Sequence, residues 1–209
     1  MVKTATSAPA APAGLFGERS TVVLFGDSIT QHGFEDGGWA GTVADYFSRR
    51  ADVFNRGFGG YNTRWARHLL PSLFPESDRH LLVTVWFGAN DAAASGEIAH
   101  VPLAEYEENM RAVLQHLKQR ARHVVVLTPP PVHGPTRLAF QRRKFGDRAS
   151  GVLERTTESA GRYAAAAVRV AAEQGVPVLD VHSLMLAEPG WPAFVGGRPC
   201  RPRTAPVLE

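Results

Sequence analysis

An α/β domain on a parallel sheet is the fold class that the sequence predicts, and two observations carry it. Short apolar, β-branched runs bounded by glycine, proline or asparagine alternate with longer stretches whose apolar residues recur at helical spacing, from residue 21 to residue 180. Such alternation gives a sheet covered on both faces. The length of 209 residues is the second: it fits one domain and suffices to bury a core. Right-handed crossovers then bring the loop after every strand to one edge, where ligands of such sheets bind.

Taken in order, the first strand is Thr21-Val22-Val23-Leu24-Phe25, too short and β-branched for a helix and closed by Gly26. Gly26 permits a sharp turn, Asp27 can tie it with its side chain, and Ser28 falls just past the strand end. On these residues alone Ser28 reads equally as a nucleophile or as an ordinary helix-capping serine. Residues 39–50, with Val43, Tyr46 and Phe47 at helical spacing, predict a first helix. A short strand over 52–55 leads into the turn Arg56-Gly57-Phe58-Gly59-Gly60-Tyr61-Asn62-Thr63. Asn62 or Thr63 caps the next helix, which carries Trp65, Leu69 and Leu70 and stops at Pro71. The strongest strand, 81–87, ends in Gly88-Ala89-Asn90-Asp91. A helix over 102–120 places Tyr106, Met110, Val113, Leu114 and Leu117 on one face, with Pro102 in its first turn. The fourth strand, 123–128, is broken by Pro129-Pro130-Pro131. A long alanine-rich helix over 147–174 turns Tyr163, Ala167, Val170 and Ala171 inward and ends at Gly175, ahead of a fifth strand over 176–180.

Composition narrows the function classes. With 44% hydrophobic and 21% charged residues and a formal net charge of +3, the chain reads as a globular protein without a nucleic-acid footprint. The basic run over 137–148, with Arg142, Arg143 and Lys144, reads as a solvated loop or helix face rather than a phosphate groove. A single cysteine, Cys200, excludes internal disulfides and fits a reducing compartment. No apolar run is long enough to span a membrane, and residues 1–19 lack the apolar core of a secretory signal. They read as a disordered arm too poor in arginine for a typical organelle-targeting peptide, and the expected location is cytoplasmic. The Gly-Asp-Ser-Ile-Thr turn has neither the glycine-rich phosphate pattern nor the lysine of a P-loop, which argues against nucleotide binding.

Three strand-end loops carry polar groups suited to one reaction. Ser28 follows the first strand, Gly60 the second and Asn90 the third. Acyl transfer needs a nucleophile and donors aimed at the oxyanion of the tetrahedral intermediate. The main-chain N–H groups of Ser28 and Gly60 and the Asn90 amide would serve, each worth about 3–4 kcal/mol in the transition state. Singly, Gly59-Gly60 reads as a plain turn and Asn90 as a helix cap; together, in this order, they are more specific.

Gly26-Asp27-Ser28-Ile29-Thr30, Asn55-Arg56-Gly57-Phe58-Gly59-Gly60 and Gly88-Ala89-Asn90-Asp91 resemble the first three sequence blocks of the SGNH (GDSL-type) hydrolases. Gly37-Gly38-Trp39 and Gly60-Tyr61-Asn62-Thr63-Arg64-Trp65-Ala66 narrow the likeness to the isoamyl acetate-hydrolysing esterases. The resemblance implies a three-layer α/β/α flavodoxin-like domain over residues 20–194, with a five-stranded parallel sheet. It implies hydrolysis of small acyl, acetate-type esters without cofactor or metal and without a nucleic-acid partner. It assigns Ser28 as nucleophile, with Ser28, Gly60 and Asn90 as the oxyanion hole.

One block departs from the pattern. The family draws its general base from an aspartate followed three positions later by a histidine, which should lie shortly after Phe194. Residues 195–209 instead form an irregular, Arg/Pro-rich tail, so the last helix of the domain is expected to be truncated. His182, two residues after Asp180, reads as a packing histidine, and neither His32 nor His133 has an evident orienting carboxylate. Loss of a triad histidine lowers kcat by about 10⁶ and leaves roughly 10³–10⁴ over water. The expectation is therefore an ester hydrolase of impaired turnover, with a non-catalytic acyl-binding module or an inactive isoform as the alternatives.

Overall fold

The computed structural model describes residues 19–191. The expected arm, apart from Arg19, and the tail over 195–209 lie outside those residues. Five strands form an all-parallel sheet: β1 (Ser20–Gly26), β2 (Ala51–Gly57), β3 (His80–Trp86), β4 (Ala121–Leu127) and β5 (Val178–Leu179). Their spatial order, β2-β1-β3-β4-β5, is the flavodoxin-like one. The helices are α1 (Ser28–Gln31), α2 (Trp39–Tyr46), α3 (Thr63–Leu73), α4 (Leu103–Lys118), α5 (Gly134–Phe145), α6 (Thr157–Glu173) and α7 (Val181–Ala187).

The period-two alternation of the strands sorts their side chains into two cores. Val23 and Phe25 of β1, Val83 and Val85 of β3, and Val124 and Val126 of β4 pack under α3, α4 and α6. Phe25 meets Phe87 and Phe74 edge-on at ring-centroid distances of 4.9 and 5.3 Å. On the opposite face Val22 and Leu24 pack against Ala40, Trp39 and Val43 of α2. Further along that face, Leu82, His123 and Val125 line an open groove with Phe47 and Pro177. The expectation of a sheet covered on both faces therefore holds only in part among the described residues: α2 covers β1 and reaches Trp86 at the end of β3, while the groove along β3 and β4 stays open.

Several element boundaries differ from expectation for local reasons. The helix predicted over 147–174 begins ten residues later, at Thr157, because Thr156 and Ser159 close a reciprocal capping box there. The basic run before it agrees with the expected solvated helix face: α5 ends in Arg142, Arg143 and Lys144, all exposed. Pro71 does not stop α3, which runs to Leu73 with the proline in its last turn. The stretch after β5 forms α7, capped by Asp180, whose carboxylate accepts the Ser183 N–H at 3.2 Å.

Candidate active site

In this strand order the chain runs from β1 outward to β2 and then returns to β3 on the other side, so the crevice at the C-terminal ends of β1 and β3 is the topological switch point. The loops after β1, β2 and β3 meet there. Asp27 caps α1, accepting the Ile29 N–H at 2.9 Å, and Ser28 is the first residue of that helix. Ser28 is half-buried, and its hydroxyl makes no hydrogen bond to any described residue.

The second loop lies directly on the first. The Phe58 N–H donates to the Gly26 carbonyl at 2.8 Å, and the Gly59 N–H to Oε1 of Gln31, one helical turn after Ser28, at 2.5 Å. A Cβ on Gly57 would stand 2.0 Å from the Gln31 nitrogen, so only glycine allows this approach. Gly60 has φ +83°, the left-handed region, and a Cβ there would meet no atom within 4 Å. The third loop joins the second through Asn90, whose Nδ2 donates to the Tyr61 carbonyl at 2.8 Å. Ser28, Gly60 and Asn90 thus belong to three loops at one edge of the sheet, the second tied by hydrogen bonds to the first and to the third.

Beneath these loops lie two buried carboxylates. Burial pushes the Asp27 carboxyl up to about 7, opposed by the Ile29 N–H, raised further by Asp91 and opposed by Arg155. Asp91 is pushed up to about 6 by burial, against hydrogen bonds from the Thr63 hydroxyl and from the Thr63 N–H at 2.9 Å. It therefore ties the third loop to the first turn of α3. Arg155, just before α6, was not singled out by sequence. Its Nη1 donates to the Ala89 carbonyl at 2.6 Å and lies 3.4 Å from Oδ1 of Asn90. Burial lowers its pKa, with the charge of Arg137 adding to that and Glu154 and Asp27 opposing it.

No histidine touches the Ser28 hydroxyl among the described residues. His182 is buried against α6, its N–H donating to Thr128 Oγ1 at 3.0 Å and its Nε2 lying 3.3 Å from the Thr157 carbonyl. Asp180 is occupied by Thr128 Oγ1 at 2.9 Å, so the two do not form a catalytic pair. His133 meets Thr136. His32 departs from expectation: Glu35 stands 2.8 Å from its Nδ1 and orients the exposed ring. The spacing of three residues across a turn was the available signal. Among the described residues no group of three or more His, Cys, Asp or Glu side chains could hold a metal ion.

Fold and site together define a class: a parallel α/β domain with a serine at its switch point and glycine and asparagine loops beside it. Residues 24–197 match the GDSL-like Lipase/Acylhydrolase family, and the chain belongs to that family. It is a carboxylic ester hydrolase by that membership. An Arabidopsis thaliana GDSL esterase/lipase is 43% identical over 180 residues, covering 83% of this chain and 74% of the relative. The human isoamyl acetate-hydrolyzing esterase 1 homolog is 40% identical over 172 residues, covering 78% of this chain and 67% of its own. Among solved structures, the lipase/acylhydrolase from Enterococcus faecalis superposes with a TM-score of 0.61 at 24% identity, covering 82% of this chain and 80% of that one. That likeness supports the fold.

Proposed function

We propose that the chain hydrolyses small acyl, acetate-type esters with Ser28 as nucleophile. Its hydroxyl oxygen attacks the ester carbonyl; the carbonyl electrons move to oxygen, and the N–H groups of Ser28 and Gly60 and the Asn90 amide receive that charge. Collapse of the intermediate breaks the bond to the alcohol, which leaves with the proton that the serine hydroxyl gave up, passed through solvent. Water then adds to the acyl-serine, its hydroxyl going to the acid and its proton back to the serine oxygen. The observation that carries this reading is the Asn90–Tyr61 hydrogen bond, which draws the third loop onto the one bearing Gly60, itself hydrogen-bonded to the segment that carries Ser28. The names of the isoamyl acetate-hydrolyzing relatives support the acetate-type substrate.

The described residues bring no base into contact with Ser28, so the turnover they support is low. That observation also favours the second reading, a module that binds acyl ligands without turning them over. Release of p-nitrophenol from p-nitrophenyl acetate by the purified chain decides between them. A hydrolase shows enzyme-dependent release that Ser28→Ala removes. A binding module shows stabilisation by acetate or short-chain esters, and the same background release with or without Ser28.

A further inference from the structure

We propose that Arg155 is a positioning residue for the oxyanion site: it fixes the Asn90 carboxamide so that one N–H stays free for the substrate oxygen. The inference rests on the hydrolase reading, from which Asn90 takes its role.

A carboxamide offers one acceptor oxygen and two N–H donors, and rotating it by half a turn exchanges them. The two neighbours of Asn90 select the same orientation. The Tyr61 carbonyl, 2.8 Å from Nδ2, can only accept. The Arg155 guanidinium, 3.4 Å from Oδ1, can only donate. Reversal would set oxygen against oxygen on one side and N–H against N–H on the other. With Oδ1 turned to the cation and one N–H given to Tyr61, the second N–H is left over. A fixed donor needs no reorganisation as charge develops, which is what makes an oxyanion site effective.

Arg155 is itself held for this task. Its side chain is only 14% exposed, so water screens its charge little. Its stronger bond, at 2.6 Å, goes to the Ala89 carbonyl one residue before Asn90, so backbone and side chain of the loop are gripped together. The capping box of α6 begins at the next residue, and the Glu154 carboxylate takes Arg137 and Gln141 of α5. That carboxylate also lies 3.5 Å from Arg155 Nε. A cation on the start of α6 thereby sets an amide on the loop after β3.

The test compares the full wild-type chain with Ser28→Ala, Arg155→Met and Arg155→Lys. Its readouts are p-nitrophenyl acetate kinetics, melting temperature and the two Asn90 side-chain amide proton resonances. Arg155→Met is expected to melt cooperatively, to lose kcat by about 10²-fold, the worth of one oxyanion donor, and to change KM little. Its Asn90 resonances should move. Arg155→Lys keeps the charge but not the fork, and should fall between wild type and Arg155→Met. A folded Arg155→Met with unchanged kcat, or with Asn90 resonances where wild type has them, overturns the proposal. If Arg155→Met does not fold, Arg155→Lys is judged by the same two criteria. If Ser28→Ala hydrolyses as fast as wild type, the hydrolase reading fails separately, and the Asn90 resonances alone decide whether Arg155 sets the amide.

Discussion

In the proposed mechanism Asn90 and Gly60 depend very differently on their side chains. Asn90 donates through its amide, so Asn90→Ala should lower kcat for p-nitrophenyl acetate by about 10²–10³ with KM little changed. Steady-state kinetics on a variant of unaltered melting temperature checks this; an unchanged kcat would remove Asn90 from the site. Gly60, proposed to act through its main-chain N–H, sits in a left-handed conformation, φ +83°. A methyl there meets no atom, so Gly60→Ala should cost about 1–2 kcal/mol through backbone strain alone, read as a lower denaturant midpoint. That Ser28, Gly60 and Asn90 fall in three loops at one edge was legible in the sequence because each follows a predicted strand, and strand ends of a parallel sheet share an edge. Arg155 was not. Nothing local marks an arginine before a helix cap as reaching a loop 65 residues earlier. The His32–Glu35 pairing was missed as well, although it is local and spans a single turn.

At the scale of elements, boundaries were read well where glycine or an apolar run set them and poorly where capping chemistry did. The strands β1, β3 and β4 lie within two residues of expectation. The start of α6 is hard to place from sequence because residues 147–156 hold no proline to mark a break, and only the Thr156–Ser159 pair marks it. Thr156→Ala should therefore destabilise the fold by about 1 kcal/mol, seen as a drop in melting temperature. If α6 instead began upstream, that substitution would be silent. The two-residue β5 and the helix α7 behind it were hard to separate in advance, because Asp180 both ends the strand and caps the helix.

For the whole molecule the buried carboxylates set the sign of the pH dependence. Asp27 and Asp91 are pushed up to about 7 and about 6, above the ordinary aspartate value of 3.8, so the folded chain binds protons there more tightly than the unfolded one. The stability this contributes is complete below about pH 3.8 and is lost as pH rises through 6 and then 7. Between pH 5 and pH 8 the melting temperature should fall by an amount on the order of a few degrees. Asp27→Asn, which keeps the cap on α1, should flatten that fall. A melting temperature that rises over the same interval would contradict the assignment. No helix among the described residues is long and apolar enough to cross a membrane.

Because position 57 presses main chain against main chain, a randomised library would treat it unlike the open glycines of the chain. At Gly41, where an added methyl meets nothing within 4 Å, survivors should carry many amino acids; at position 57 selection should return glycine alone. Redesign of acyl preference is therefore better begun at side chains bordering the crevice than at the hinge where the first two loops touch.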